Sequence, residues 1–268
     1  MSQKIKRWND YRLLKFVQCM NLVVLPFAIW MFIESVTWWY FFVTAFAVIM
    51  ISKVGHSIGQ HRYFSHRSFK TDNQREWLLT LLATLGTTGT TINYCGIHRY
   101  HHAHSDTDLD PHSPKKLGFL KAFLGLVDLE KSKAVSAKLI KDLLANQRVV
   151  FFHNWYWPII VVYWAVLVAI DPLLFLFCYV IPCGYVQFVT GTQLSSGHLW
   201  GYKNFDLRDH SVNNRLWHWL TLGEGMHNNH HASPAMYDFG YTKNPGEWDF
   251  CGWVVRRFFI VDQLPARI

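Results

Sequence analysis

The stretch FVQCMNLVVLPFAIWMFIESVTWWYFFVTAFAVIMI, residues 16–51, decides the fold of this chain. Its only charged residue is Glu34, and Glu34-Ser35 divides it into two apolar runs, Phe16–Ile33 and Val36–Ile51. Each run is close to the ~20 residues a helix needs to cross a bilayer. The break between them leaves room only for a tight helical hairpin. A second pair follows, with Val149–Ile170 and Leu173–Val189 joined by Asp171-Pro172. A proline there stops one helix because it lacks an N–H, and its fixed φ suits the start of the next. Tilt and the flanking Trp155, Trp157 and Trp164 accommodate the shorter runs. The fold class expected is all-α integral membrane, with four transmembrane helices in two hairpins.

Composition agrees. The 268 residues are 51% apolar and 17% aromatic, and their 16% charged content lies well below the about 25% of soluble domains. The net charge of +8 fits either a nucleic-acid partner or an anionic membrane leaflet. The distribution favours the leaflet. Residues 1–15 hold five lysines and arginines, residues 53–148 fourteen and residues 195–268 seven, so the hairpin turns hold none. By the positive-inside rule both termini and the long central segment face the cytoplasm. Residues 53–148 and 195–268 then form a cytoplasmic helical cap, the whole of 1–268 is one domain, and no nucleic acid is involved. The five cysteines lack a CxxC pair and read as buried free thiols in a reducing compartment. No small-residue cleavage site follows the first apolar run, so no removable signal peptide is expected. Trp77–Leu85 is too short to span and reads as a helix at the interface or under the cap. Asp128–Arg148, with Lys131, Lys133, Lys138 and Lys141 among leucines, reads as an amphipathic surface helix.

Chemistry is concentrated in histidines. His98-Arg99-Tyr100-His101-His102 places three imidazoles at i, i+3 and i+4, within roughly 100° of one helical face. The same spacing recurs in His227-Asn228-Asn229-His230-His231, and His61 and His66 form a pair upstream. Neutral imidazole is the commonest protein ligand for transition metals. Eight clustered histidines exceed what one tetrahedral ion uses, so two ions sharing eight or nine ligands fit better. His61 and His66 lie about 140° apart on a straight α-helix, which suits different metals or a distorted helix end. Arg99 and Asn228 stand where a zinc protease carries its HExxH glutamate, so hydrolysis lacks its base. Redox work on a lipid-like substrate suits an all-imidazole pair beside a bilayer.

With these residues in view, the chain resembles membrane fatty acyl desaturases of the stearoyl-CoA, delta-9 type. The motifs that carry the resemblance are Gly59-Gln60-His61-Arg62-Tyr63-Phe64-Ser65-His66-Arg67-Ser68-Phe69, the two HxxHH boxes, Asp110-Pro111-His112-Ser113 and Gly223-Glu224-Gly225-Met226 before the last box. They span roughly residues 40 to 260 in the family's order. The resemblance implies a non-haem di-iron centre of two iron ions that uses O2 and two electrons to place a cis double bond, at carbon 9, in a saturated acyl chain. It also implies His61, His66, His98, His101, His102, His227, His230 and His231 as ligands, with His198 in Ser195-Ser196-Gly197-His198-Leu199-Trp200-Gly201 as a ninth. Where the family has an asparagine thought to hold a metal-bound water, this chain has Leu194, and either Gln193 substitutes or that water is arranged differently. Animal acyl-CoA members place Arg-Asp before the second box, and Gly96-Ile97 stands here. The carrier is therefore open among acyl-CoA, acyl carrier protein and acyl lipid. Lys115 and Lys116 lie near a basic pair that meets the carrier's phosphates, with a solvated pair as the alternative. Ala45 and Ile49 share a face of the second run that, by resemblance, closes the acyl tunnel, with ordinary helix packing as the alternative.

Glu224 and Asp110 are candidates to accept an imidazole N–H and fix its tautomer, whereas Asp106 reads as surface charge. His104 and His112 read as hydrogen-bonded loop residues, and His56, His153, His210 and His218 as structural. No haem motif or ferredoxin cysteine cluster is present, so the electrons are expected from a separate ferredoxin or cytochrome b type donor with its reductase. Two rivals remain. A hydroxylase or ketolase shares the scaffold and differs in the second step. A non-enzymatic metal-binding or transport protein would carry ion-pathway polar residues in its spans, and the first two offer only Gln18, Asn21, Thr44 and a terminal Ser52.

Overall fold

Two short connections set the pattern of the long helices. The computed structural model of this chain describes residues 11–132 and 135–260; Lys4, Lys6, Arg7, Lys133 and Arg267, counted in the charge reading, lie outside them. The first helix, Tyr11–Ser35, is followed by Thr37, whose hydroxyl accepts the Tyr40 N–H and caps the next helix. Asp171 plays the same part later, accepting from Leu173 N–H with Pro172 in the first turn. Tyr40 donates its hydroxyl to the Asp171 carboxylate, so the two connections meet.

Among the described residues, three helices are long and apolar enough to cross a membrane, namely Tyr11–Ser35, Trp38–Ser65 and Pro172–His198. A fourth crossing is available if Gln147–Asn154 and Tyr156–Ile170, which meet at 66°, form one broken span. The expected continuous run over 149–170 is thus interrupted at Trp155. Pro158 explains the break, since it cannot donate to the Asn154 carbonyl and so ends the preceding helix.

The runs expected to end at Ile51 and Val189 continue as helix through Ser65 and to His198. Hydropathy falls there, but hydrogen bonding does not. Thr192, Ser195 and Ser196 turn their hydroxyls onto the carbonyls of Val189, Gly191 and Thr192, keeping polar side chains satisfied inside the helix. From Ile49 to Ser65 the backbone takes the wider π-helical turn. Asn73–Leu85 buries Leu79 and Leu82 while Trp77 and Leu81 stay exposed. Gly55 lets it lie close, because a Cβ at that position would stand 2.5 Å from the Leu82 carbonyl. The single amphipathic helix expected over 128–148 is replaced by short pieces: Leu129–Ser132, Ala137–Ile140 and Lys141–Ala145, then Gln147–Asn154. Ser136 and Asn146 cap the pieces after them, since their oxygens accept from Lys138 N–H and from Arg148 and Val149 N–H.

The chain forms two compact units. One comprises residues 1–60, 77–94 and 142–187, and the other residues 61–76, 95–141 and 188–268. The core of the first includes Ala28, Ala47, Leu167, Leu174, Cys178 and Cys183, drawn from all the long helices. Cys95, Cys178, Cys183 and Cys251 are buried free thiols as expected, but Cys19 is exposed. All nine histidines named as candidate ligands belong to the second unit.

Candidate metal centre

His98, His101 and His102 stand on the Thr91–His104 helix, and His227, His230 and His231 on His227–Ala232. In both, the i and i+4 histidines lie on one side and the i+3 histidine on the other. The structure uses this split. His98 and His102 join His61, His66 and His230 in one group, while His227 and His231 join His101 and His198 in a second. Each HxxHH box thus gives two histidines to one group and one to the other. His61 and His66, five residues apart, fall in the same group. The π-helical turn over Ile49–Ser65 brings residues at that separation back toward one face, which is the distorted helix end.

In the first group His61 Nε2 lies 3.0 Å from His230 Nε2, His66 Nε2 2.7 Å from His98 Nε2, and His102 Nε2 3.1 and 3.0 Å from His98 and His230 Nε2. In the second, His227 Nε2 lies 3.0 Å from His198 Nε2, and the Nε2 atoms of His101 and His231 are buried without a hydrogen-bond partner. Burial, reinforced by neighbouring imidazoles, pushes His66, His98, His102, His227, His230 and His231 well below the usual histidine range. These rings are neutral, so their Nε2 lone pairs face each other across about 3 Å. Two imidazoles bound to one transition-metal ion at about 2.1 Å with roughly 90° between them have that separation. The donor set therefore fits a metal ion in each group.

Carboxylates fix the tautomers from behind. His61 Nδ1 donates to Glu224 at 2.9 Å, His101 Nδ1 to Asp110 at 3.0 Å, His198 Nδ1 to Asp106 at 2.8 Å and His231 Nδ1 to Asp209 at 2.8 Å. With Nδ1 protonated, Nε2 is left as the ligand atom. Burial works against ionised Asp106 and Asp110, but the hydrogen bonds from His198 and His101 hold both well below the usual carboxylate range. Asp106 is thus no surface charge; it also accepts from His210 N–H and the Ser113 hydroxyl. Asp209 escaped the sequence reading because nothing in its local spacing relates it to His231. Asp209→Ala is expected to weaken metal binding by about 10–100-fold while the fold persists. Chelator competition measures this, and unchanged affinity would release His231 from that dependence.

Glu224 is held more firmly than the others. It pairs with Arg62 and accepts from Gln193 as well as His61. Arg62 also reaches Asp249 at 3.0 Å and lies 3.7 Å over the Phe239 ring. Gln193 accordingly faces Glu224, and Leu194 beside it is half-buried. The asparagines inside the last box build its platform. Asn229 donates to Phe239 O and Glu247, while Asn213 Oδ1 accepts the N–H groups of Asn228 and Asn229 at the start of that helix. Gly197 is required beside His198, because a Cβ there would lie 2.9 Å from the His227 ring.

Other expected residues sit apart. His112 is buried with its ring 4.3 Å from His101, and burial together with His101 lowers it to about 3. It stands with His101 and Asp110 as a third set of close donor atoms, nearer the centre than a loop role implied. His104 lies against Tyr100. His56, His153 and His218 bond Gln60, Thr90 and the Trp248 carbonyl and are members of neither group. Lys116 pairs with Asp108 at 2.6 Å and Lys115 is exposed. Ala45 is exposed and Ile49 half-buried, whereas Thr44, Ala47 and Ile51 are buried, so the face expected to line a tunnel is not the one the helix buries.

Comparison with known sequences points the same way as the site. The sequence profile of the family described as fatty acid desaturase matches residues 37–243. The chain is 35% identical over 201 residues to an sn-1 stearoyl-lipid 9-desaturase of Anabaena variabilis, covering 73% of this chain and 70% of that protein. It is 31% identical to an sn-2 palmitoyl-lipid 9-desaturase of Nostoc sp., covering 75% and 74%. It is also 31% identical to the stearoyl-CoA desaturase of Sus scrofa, covering 74% and 58%.

Proposed function

This chain belongs to the fatty acid desaturase family, and from that premise we propose that its two histidine groups each hold one iron ion and that it introduces a cis double bond at carbon 9 of a saturated acyl chain. The chain is an oxidoreductase, a fatty acyl desaturase that works on an acyl substrate with O2 in a lipid setting. In that reaction two adjacent methylenes become a cis alkene, while O2, two electrons and two protons become two waters. Iron bound by the histidines supplies the O2 activation and electron transfer that protein side chains lack. The observation that carries the reading is the pair of imidazole sets, five and four strong and buried or half-buried, with ring nitrogens about 3 Å apart.

The protein's own part is orientation and exclusion of water. Glu224, Asp110, Asp106 and Asp209 keep His61, His101, His198 and His231 aimed, and burial holds His66, His98, His102, His227, His230 and His231 well below the usual histidine range. The ligands proposed are His61, His66, His98, His102 and His230 for one ion, and His101, His198, His227 and His231 for the other. Gln193 steadies Glu224. The topology proposed is two helical hairpins, supported by the Tyr40–Asp171 contact between the two connections, with a multi-pass arrangement, cytoplasmic termini and a cytoplasmic cap, all within one desaturase domain over 1–268. Lys115 and Lys116 are proposed to meet the carrier's phosphate. The electrons come from a separate ferredoxin or cytochrome b type protein with its reductase.

Purified, iron-loaded protein given a reducing partner, O2 and stearoyl groups on CoA, acyl carrier protein or phospholipid in parallel is expected to yield the 9-monoene from one carrier, read by gas chromatography. The relatives act, by name, on both lipid and CoA esters, so the preferred carrier emerges from the same assay. Saturated chains alone, or hydroxylated ones, would overturn the reading. Because Ala45 is exposed, Ala45→Trp is expected to leave product chain length unchanged; a shift to shorter products would put Ala45 on the acyl path.

A further inference from the structure

The second unit leaves a connected run of aromatic rings uncovered. Trp219 stacks on Trp248 with centroids 6.4 Å apart, Trp248 meets Phe250 at 6.2 Å, Phe250 meets Trp253 at 6.1 Å, and Trp253 meets Phe258 at 6.0 Å. Trp219, Trp248, Trp253 and Phe258 are 52%, 51%, 41% and 54% exposed. Single exposed aromatics are ordinary on a protein surface, but a contiguous apolar patch marks something that covers it.

Charge says what the cover is. Of the charged residues in 247–259, Glu247 and Asp249 are buried at 1% and 2% exposure, while Arg256 and Arg257 are exposed. The segment thus shows only positive charge outward, set between Trp253 and Phe258. Indole rings with an apolar body and a polar N–H, next to arginines on apolar stems, settle at the headgroup level of a bilayer, and arginine complements lipid phosphate. The same chain carries helices long enough to cross a membrane, so a bilayer is always at hand. We propose that the run from Trp219 to Phe258, with Arg256 and Arg257, is a monotopic contact that seats this unit on an anionic lipid surface. This goes beyond the desaturase reading and does not depend on it.

The full chain carrying Cys19→Ser and Trp253→Cys, spin-labelled and placed in phosphatidylcholine–phosphatidylglycerol nanodiscs, tests the contact; the other cysteines are buried. The label at 253 is expected to be severalfold more accessible to O2 than to a polar nickel chelate, relative to a label on exposed Asp206→Cys. A label at Trp219→Cys should read the same, which guards against one variant failing to fold. Equal access of both probes at 253 and 206 would overturn the proposal. So would a label shielded from both probes or broadened by a second label, which would signal a protein partner or a second copy. Arg256→Gln with Arg257→Gln should reduce the depth reading in anionic discs and leave it unchanged in phosphatidylcholine alone; an equal effect in both would remove the anionic component.

Discussion

His230→Ala is expected to abolish desaturation and to cut bound iron by about half. His230 Nε2 lies 3.0 Å from both His61 Nε2 and His102 Nε2, so it joins the first box to the second. It is the one histidine that the last box gives to that group; His227 and His231 face the other. Its loss opens one ion's site while leaving the second set of four imidazoles complete. Iron content per chain, measured beside activity, separates this outcome from a general collapse, which would empty both sites. His104→Ala, whose ring rests on Tyr100 outside both groups, should keep its iron and serves as the control. Full iron occupancy in His230→Ala would remove that residue from the ligand set.

Glu224→Ala should be the most damaging change outside the ligands themselves. Its carboxylate accepts from His61, Gln193 and Arg62, and both it and Arg62 are fully buried. Removing it leaves His61 Nδ1 without its acceptor, which is expected to weaken metal binding by about 10–100-fold. It also leaves the Arg62 guanidinium with Asp249 as its remaining carboxylate. Breaking a buried ion pair from one side costs about 3–5 kcal/mol, so a clear fall in Tm is expected even without metal. Glu224→Gln retains an acceptor oxygen of the same shape and should lose less stability than the alanine variant. Equal Tm for wild type and Glu224→Ala in metal-free protein would show that the ion pair contributes nothing to the fold.

The reach of a sequence reading varied with the physics behind each feature. Apolar runs placed the first long helix within a few residues of Tyr11–Ser35, because its apolar side chains follow one another with few breaks from Phe16 to Ile33. The same criterion stopped too early at Ile51 and Val189; past Val189 the helix continues because the Ser195 and Ser196 hydroxyls are satisfied inside it. It also missed the break at Trp155, although Pro158 was there to be weighed. Asp128–Arg148 had the charge pattern of one amphipathic helix, yet Ser136 and Asn146 restart it, since capping competes locally with continuation. Among the carboxylates, Asp110 was legible because Asp110-Pro111-His112 follows the second box closely. Asp106 was misjudged and Asp209 missed, because nothing local distinguishes a surface aspartate from one that closes on a histidine far along the chain.

By itself the sequence determined the elements and the candidate site chemistry: where long apolar helices lie, which histidines share a helical face, and that imidazoles rather than carboxylates make up the groups able to hold a metal. Those are properties of spacing along the chain, governed by the 3.6-residue turn and by the length needed to cross a bilayer. Only the tertiary structure decided that each HxxHH box splits its histidines between two groups, that His61 and His66 share one of them, and that Glu224 serves His61 across 163 residues while Asp106 serves His198 across 92. A histidine's partner is set by which helix packs opposite it, and that packing is a property of the whole buried surface rather than of any single stretch.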